Sequence, residues 1–373
     1  MKKILSLFLC CLMVLTLTGC GGSNGDDITT YTYSSELDIK NLDSSDADDG
    51  CSLKAIHAVI DGLTKTDKKG NIVNGVAKSE ELSEDGLTHT YKLRKDVKWT
   101  NGDPVTAHDF VYAWQRIFRK KGSYYYMFAD GIASIEGAQE LSDKIDAGEE
   151  LTDDDLNSMG VKAIDDYTLE VKTTVRVSFF DELMAFPCFF PINEKFCEKQ
   201  GDKYGKSAKA ILGNGAFIMT NWEPGSIAEF KKNDDYYEAK TVKIEKLVMK
   251  LVQDPKVAAQ SFMAGETDYA PITSDLVDKY KDNESFKQVP EGFLYYLSVN
   301  FQNEDLANAN IRQAVSLSIN RKDLCEKVLK DGSSAATGFI PKGVATSPDG
   351  KDFREESGTY ITYSQSKAQQ ALD

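Results

Sequence analysis

Short runs of strand character alternate with longer runs of helical periodicity from residue 28 to residue 329, and this alternation constrains the fold more than any other feature of the chain. The spacing predicts strands at Ile28–Ser34, His89–Val97, Ile227–Lys231 and Val242–Val252, a short one at Asp268–Ile272, and a buried one at Gly292–Phe301. Val161–Val171 reads as a hairpin turning at Asp165-Asp166, and Gly213–Phe217 opens a further strand. Helices are expected at Cys51–Leu63, capped by Asp49 or Ser52, from Thr106 onward, within the acidic stretch 141–157, at Asp254–Ala264 and at Ile311–Leu329. Thr106 with Asp109 at the third helical position makes a capping-box candidate, and Phe110, Val111, Trp114 and Ile117 form that helix's apolar face. Such a pattern predicts an α/β protein with more than one lobe.

The composition excludes several function classes. With 41% hydrophobic residues the 373-residue chain has enough apolar material to fold, so disorder is ruled out. A net charge of −15 argues against a nucleic-acid partner and against adhesion to anionic lipid by charge alone. Three histidines leave little material for a metal site, and neither a metal nor a cofactor is expected. The sequence holds no Gly-x-Ser-x-Gly, HExxH or glycine-rich phosphate loop, and His57, His89 and His108 have no suggestive partner spacing. A non-catalytic protein is expected, though a triad assembled from distant residues remains the competing class.

The amino terminus reads as an export signal. Lys2 and Lys3 precede a nearly apolar run, Ile4–Leu17, that is shorter than the ~18–20 residues a membrane span needs. Leu17-Thr-Gly-Cys20 then resembles a bacterial lipobox, which makes Cys20 the lipid-attachment residue and 1–19 the signal peptide. Residues 20–27 form a polar tether. Removal of two lysines with the signal takes the net charge from −15 to −17. Two or more acyl chains hold a protein stably on a membrane, so an anchored protein is expected, not an embedded one. Cys51, Cys188, Cys197 and Cys325 then remain; they read as separate thiols, with Cys188 and Cys197 the only close pair.

The segment from Tyr91 to Trp114, with Trp99-Thr-Asn-Gly-Asp-Pro104 at its centre, resembles the signature of the family-5 solute-binding proteins, the oligopeptide-binding lipoproteins of ABC importers. Three further stretches resemble the same family in the same order: Gly213-Asn-Gly-Ala-Phe217 with Trp222 and Asn233-Asp-Asp-Tyr-Tyr237; Phe262-Met-Ala-Gly-Glu-Thr-Asp268; and Asn310-Ile-Arg-Gln-Ala-Val315 with Ser318-Ile-Asn-Arg321. Physical chemistry accounts for most of these residues without a ligand. Trp99–Pro104 is a turn, and Phe110, Trp114, Phe217 and Trp222 are core anchors. Gly265 and Asp268 stop a helix and enter a strand, and Arg312 and Arg321 suit ion pairs or helix ends.

The resemblance implies a two-lobed α/β fold of the periplasmic-binding-protein type (type II, cluster C) that closes on its solute. Lobe I would comprise 28–60 and 191–250, its extra domain 61–190, and a partial lobe II 251–373. Relatives continue well beyond the equivalent of Leu372, so the second lobe is expected to be incomplete in a C-terminally truncated chain. The implied function is capture of an oligopeptide and its delivery to ABC permease and ATPase subunits. The protein would act as a lipid-anchored monomer on the outer face of the cytoplasmic membrane. A surface peptide-signal receptor or adhesin, or a binder of dipeptides, nickel complexes or sugars, is the alternative. By the same resemblance the peptide-contacting candidates are Asp48, Asp49, Gly50 and Cys51, then Tyr124 and Tyr125, then Tyr295 and Asn300. Tyr126, Ser298 and Gln302 are weaker members of these groups, and three consecutive tyrosines cannot all face one side. A negative cleft meeting a cationic peptide amino terminus is the expected charge complementarity.

Overall fold

The computed structural model describes residues 29–289, 291–347 and 349–373. The signal, Cys20 and the tether lie outside the described residues. Two units result, the first ending at Ala270 and the second running from Pro271 to Asp373.

Among the described residues the first unit carries ten strands: β1 (Thr30–Ser35), β2 (Thr64–Thr66), β3 (Ile72–Asn74), β4 (Ala77–Leu82), β5 (Thr88–Leu93), β6 (Val161–Asp165), β7 (Thr168–Lys172), β8 (Phe217–Glu223), β9 (Ile227–Lys232) and β10 (Lys246–Leu251). One mixed sheet has the order β1-β10-β9-β8, with β1 parallel to β10 and Tyr33 opposite Met249. A second sheet, β4-β5-β7-β6, is antiparallel throughout, and β2 with β3 forms a separate hairpin. The expected Val161–Val171 hairpin is present as β6 and β7, with a bulge between Ala163 and Asp165. At 268–272 the expected strand shrinks to a single bridge between Tyr269 and Tyr33. There Asp268 turns its carboxylate to the Thr32 N–H at 2.7 Å, which takes a ladder position from the main chain.

Two apolar cores fill this unit. The first packs the helix Gly50–Val59 (Ala55, Ile56, Val59) against Met219, Ala228, Phe230 and Met249 of the mixed sheet. The second gathers the helix Ala107–Arg119 (Phe110, Trp114, Ile117, Phe118) with Phe128, Leu169, Val171 and Phe189. Trp114 meets Phe128 and Phe189 edge-on at 5.6 and 5.7 Å, and its indole N–H donates to the Phe189 carbonyl at 2.9 Å. Burying each such side chain contributes ~1.5–3 kcal/mol, so the aromatic face of this one helix anchors the second core.

The start of that helix holds a buried carboxyl, that of Asp109. Asp109 Oδ2 accepts from the Thr106 N–H at 2.7 Å and from the Trp99 indole N–H at 3.2 Å, so one carboxylate ties the turn at Trp99 to the helix start. Burial outweighs these bonds and pushes the Asp109 pKa up to about 6. A raised carboxyl pKa means its stabilising contribution is complete below the ordinary carboxylate range and is lost as pH rises through about 6. Tryptophan emission should therefore titrate with a midpoint near pH 6 in the native protein, and Asp109→Asn should abolish the transition. Emission that is flat between pH 5 and 7 contradicts the assignment.

The second unit is helical, with Ser274–Tyr280, Glu304–Ala307, Ala309–Ser318 and Gln365–Leu372 its main elements. Ala314 and Ala368 are buried where Ala309–Ser318 packs on Gln365–Leu372. The helix expected at Ile311–Leu329 is broken at Ile319. Asn320 caps a new start by accepting from the Asp323 N–H, and Arg321 bonds the Ser316 carbonyl at 2.9 Å. Arg312 likewise donates to the carbonyls of Leu306 and Ala307 and lies over the Phe301 ring, so both arginines serve helix ends. The buried strand expected at Gly292–Phe301 is not formed: these residues have no strand assignment, and Phe293 and Tyr295 are 72% and 88% exposed. An apolar run becomes a buried strand only beside ladder partners, and the described residues of this unit contain no strand to supply them.

Candidate functional site

The acidic loop after β1, the start of the helix Gly50–Val59 and the segment after the helix Ala107–Arg119 converge on one exposed rim of the first unit. The helix begins where it does because Asp49 Oδ1 accepts from the backbone N–H groups of Cys51 and Ser52 at 3.1 and 2.9 Å. The Cys51 thiol donates to the Leu37 carbonyl at 3.1 Å and lies 3.7 Å from Ser35 Oγ, which fixes the helix start beside the carboxyl end of β1. In open α/β sheets, ligands bind outside the carboxyl ends of parallel strands. Here β1 and β10 are the parallel pair.

From the other side, the Tyr124 hydroxyl donates to the Asp48 carbonyl at 3.4 Å. Its ring meets Phe186 edge-on at 5.2 Å and Tyr126 at 6.2 Å. Tyr126 is 49% exposed, as is much of Leu37. Two features hold these segments together. Arg116 makes a bidentate pair with the buried Asp43 carboxylate at 2.6 and 2.8 Å. Gly122 passes so close to the loop that a Cβ there would lie 1.8 Å from the Ser45 carbonyl oxygen.

The rim has a negative field. Burial pushes the Cys51 thiol pKa up, and Asp49 and Asp38 add to it against Ser35 and Lys54. The thiol is therefore protonated despite its place in the first turn of a helix, where the dipole favours a thiolate. Burial also raises the Tyr124 hydroxyl, with Tyr126, Asp48 and Asp49 acting in the same direction. Cys51 suits packing and hydrogen bonding, not nucleophilic chemistry.

The structure thus gathers Asp48, Asp49, Gly50, Cys51 and Tyr124 on one surface. Tyr125 faces elsewhere: its hydroxyl donates to Asp146 at 2.6 Å and its ring packs on Phe118. Tyr295 and Asn300 belong to the second unit. Tyr295 is almost fully exposed, and Asn300 Oδ1 accepts from the Gln302 N–H at 2.9 Å, a local turn bond. Phe186, Leu37 and the Gly122–Ser45 contact were not legible beforehand; a Gly-Ser pair before three consecutive tyrosines was the available signal. Cys188 and Cys197 are both buried free thiols, and Cys188 Sγ lies 3.9 Å from Met127 Sδ.

The other motif residues build scaffold. Asn214 Oδ1 accepts from the Asp61 N–H at 2.8 Å, and the hydroxyls of Tyr236 and Tyr237 donate to Asp61 Oδ2 at 2.6 and 2.7 Å. Gly213 and Gly215 lie against the Val59 backbone, where added Cβ atoms would approach to 2.2 and 2.7 Å. Gly-Asn-Gly and Asp-Asp-Tyr-Tyr thus clamp the end of the helix Gly50–Val59.

Comparison with known proteins gives a consistent assignment. The profile of the bacterial extracellular solute-binding proteins, family 5 (middle region), matches residues 71–373. The dipeptide-binding protein DppE of Bacillus subtilis is 33% identical over 322 residues, covering 86% of this chain and 57% of DppE. The oligopeptide-binding protein OppA of Bacillus subtilis is 31% identical, covering 94% and 66%. Among solved structures, Listeria monocytogenes OppA bound to peptide superposes with a TM-score of 0.79 at 30% identity, over 93% of this chain and 67% of that one. The pheromone receptor PrgZ gives a TM-score of 0.81 at 27% identity, over 92% and 67%. The chain spans between 57% and 66% of the length of the first three curated relatives. The ordered motifs, the α/β architecture and these likenesses agree that the chain belongs to the family 5 bacterial extracellular solute-binding proteins.

Proposed function

We propose that this protein is the peptide-binding component of an ABC importer, which captures oligopeptides and passes them to permease and ATPase subunits without cleaving them. The observation that carries this reading is the rim at the carboxyl end of β1, where Asp48, Tyr124, Tyr126 and Leu37 border a surface that a peptide main chain can cross. Main-chain hydrogen bonding is common to all sequences, so such a surface accepts many side chains, while hydrated margins tolerate their variety. Relatives named for dipeptide and oligopeptide binding support the solute class. One core is drawn mainly from 39–60 and 219–249 and the other mainly from 63–189, which supports 28–60 with 191–250 as lobe I and 61–190 as a domain inserted in it, although Phe190 joins the first core and Ile192, Cys197, Tyr204 and Leu212 join the second. Cys20 would carry the lipid that holds the protein, as a monomer, on the outer face of the cytoplasmic membrane.

Calorimetry of the full chain against defined oligopeptides tests the reading, with mass spectrometry of the same mixtures afterwards. Saturable binding with every peptide recovered intact is expected. Cleavage products, or no heat with any peptide, refute it.

A further inference from the structure

We infer that Glu80 and Asp181 hold one proton between them, and that this shared proton latches the β4–β5 hairpin to the helix Phe180–Met184 until it is released as the pH rises. The latch lies within 61–190 and does not depend on what the rim binds.

Four polar side chains from three elements meet there. Glu80 on β4 stands opposite Tyr91 on β5, and its Oε1 is 2.5 Å from His89 Nδ1. His89 is buried, and its Nε2 has no hydrogen-bond partner among the described residues, so the ring's proton belongs on Nδ1 and is donated to the Glu80 carboxylate. Asp181 accepts at Oδ1 from the Tyr91 hydroxyl at 2.9 Å and is hydrogen-bonded to Glu80. Phe180 stacks on His89 at 4.1 Å, and the Thr64 hydroxyl donates to the Asp181 carbonyl at 2.6 Å. The helix is thus tied to β5 on one side and to β2 on the other.

Ionised carboxylates only accept, so a hydrogen bond between two of them requires a proton on one. The neighbours do not supply a counter-charge instead. His89 is the one basic group in ion-pair reach of Glu80, and none reaches Asp181, among the described residues. Arg176 and Glu84 line the cleft on which His89 lies, but the Arg176 guanidinium is turned to the carbonyls of Asp85 and Glu84. The proton sits on Asp181. Burial, and then the Glu80 charge, push the Asp181 pKa up, whereas the His89 hydrogen bond holds Glu80 down. The raised Asp181 contributes stability that is present below the ordinary aspartate range and is lost as pH rises through its folded value. The lowered Glu80 contributes stability that is present above the ordinary glutamate range and is lost as pH falls through its own. The latch is complete between the two values and opens on the alkaline side, when two carboxylates are left facing each other. Beyond the helix the chain reaches Phe186, whose ring packs on Tyr124 at the rim.

Infrared difference spectra of the full chain record protonated carboxyls directly. Wild type should show a carboxylic C=O band that disappears with a midpoint above the ordinary aspartate range, and Asp181→Asn should lack it while keeping the band of Asp109. Tyr91→Phe withdraws a hydrogen bond that favours the ionised form, so the same midpoint should move up by about one pH unit. In thermal unfolding, Asp181→Asn has an amide that donates to Glu80 at every pH. It should match wild type near about pH 5 and exceed its Tm by about 3 °C near about pH 8. A Tm difference that stays constant with pH overturns the inference. A full set of bands in Asp181→Asn, or an Asp181 midpoint within the ordinary aspartate range, also overturns it. If Asp181→Asn does not fold, Tyr91→Phe decides: an upward shift supports the shared proton, and an unmoved midpoint overturns it.

Discussion

Gly122→Ala is expected to destabilise the first unit by about 3 kcal/mol and to weaken peptide binding with it. The added methyl would lie 1.8 Å from the Ser45 carbonyl oxygen. A main-chain oxygen cannot rotate aside as the end of a flexible side chain can, so a segment of backbone must move. The two candidates for movement are the acidic loop and the turn leading to Tyr124. Either shift lengthens the hydrogen bond from Tyr124 to the Asp48 carbonyl, already 3.4 Å. Thermal unfolding should show a fall of roughly 10 °C for such a loss in a unit of this size. Wild-type stability in Gly122→Ala would mean that the close contact does not fix the rim.

Asp43→Ala should cost about 3–5 kcal/mol, because it leaves the Arg116 guanidinium buried without its counter-charge. Arg116 and Asp43 are joined through two parallel hydrogen bonds, and Lys120 adds a longer contact to the same carboxylate at 3.7 Å. Asp43 also accepts from the Ser45 N–H at 3.1 Å, so its loss frees the very residue that faces Gly122. The double replacement Asp43→Leu with Arg116→Met should cost much less than Asp43→Ala, since no unpaired charge remains. Urea denaturation of the three proteins checks the order. A double variant at least as unstable as Asp43→Ala would show that the pair's role is shape and not charge.

Both substitutions act on how two distant stretches of chain are held together, and only what is local to each stretch can be read from its residues. Asp49 was legible as a cap because an acidic residue before a helical apolar period has a local meaning. Thr106 and Asp109 were legible for the same reason. The Tyr124–Asp48 contact joins residues 76 positions apart, and no local pattern specifies it. Periodicity likewise described Gly292–Phe301 as a strand while being silent on its neighbours. A strand is completed by hydrogen bonds from other segments, so its own sequence sets only its readiness to pair. The continuous helix expected after Ile311 failed differently: Asn320 offers a local cap that outweighs an apolar period spanning the break.

The sequence by itself determined the α/β class, the caps, the principal turns and the family to which four ordered motifs belong. These rest on interactions within a few residues or on patterns spread along the whole chain. Only the tertiary structure decided that the Asp48 side chain is the unbonded carboxylate of its loop, that Tyr124 reaches the Asp48 main-chain carbonyl and Tyr125 does not, and that the motif glycines lie on the Val59 backbone. Those outcomes depend on which side chain satisfies which distant polar group. That choice is made when separate segments pack and exclude water, a step at which chain separation no longer matters.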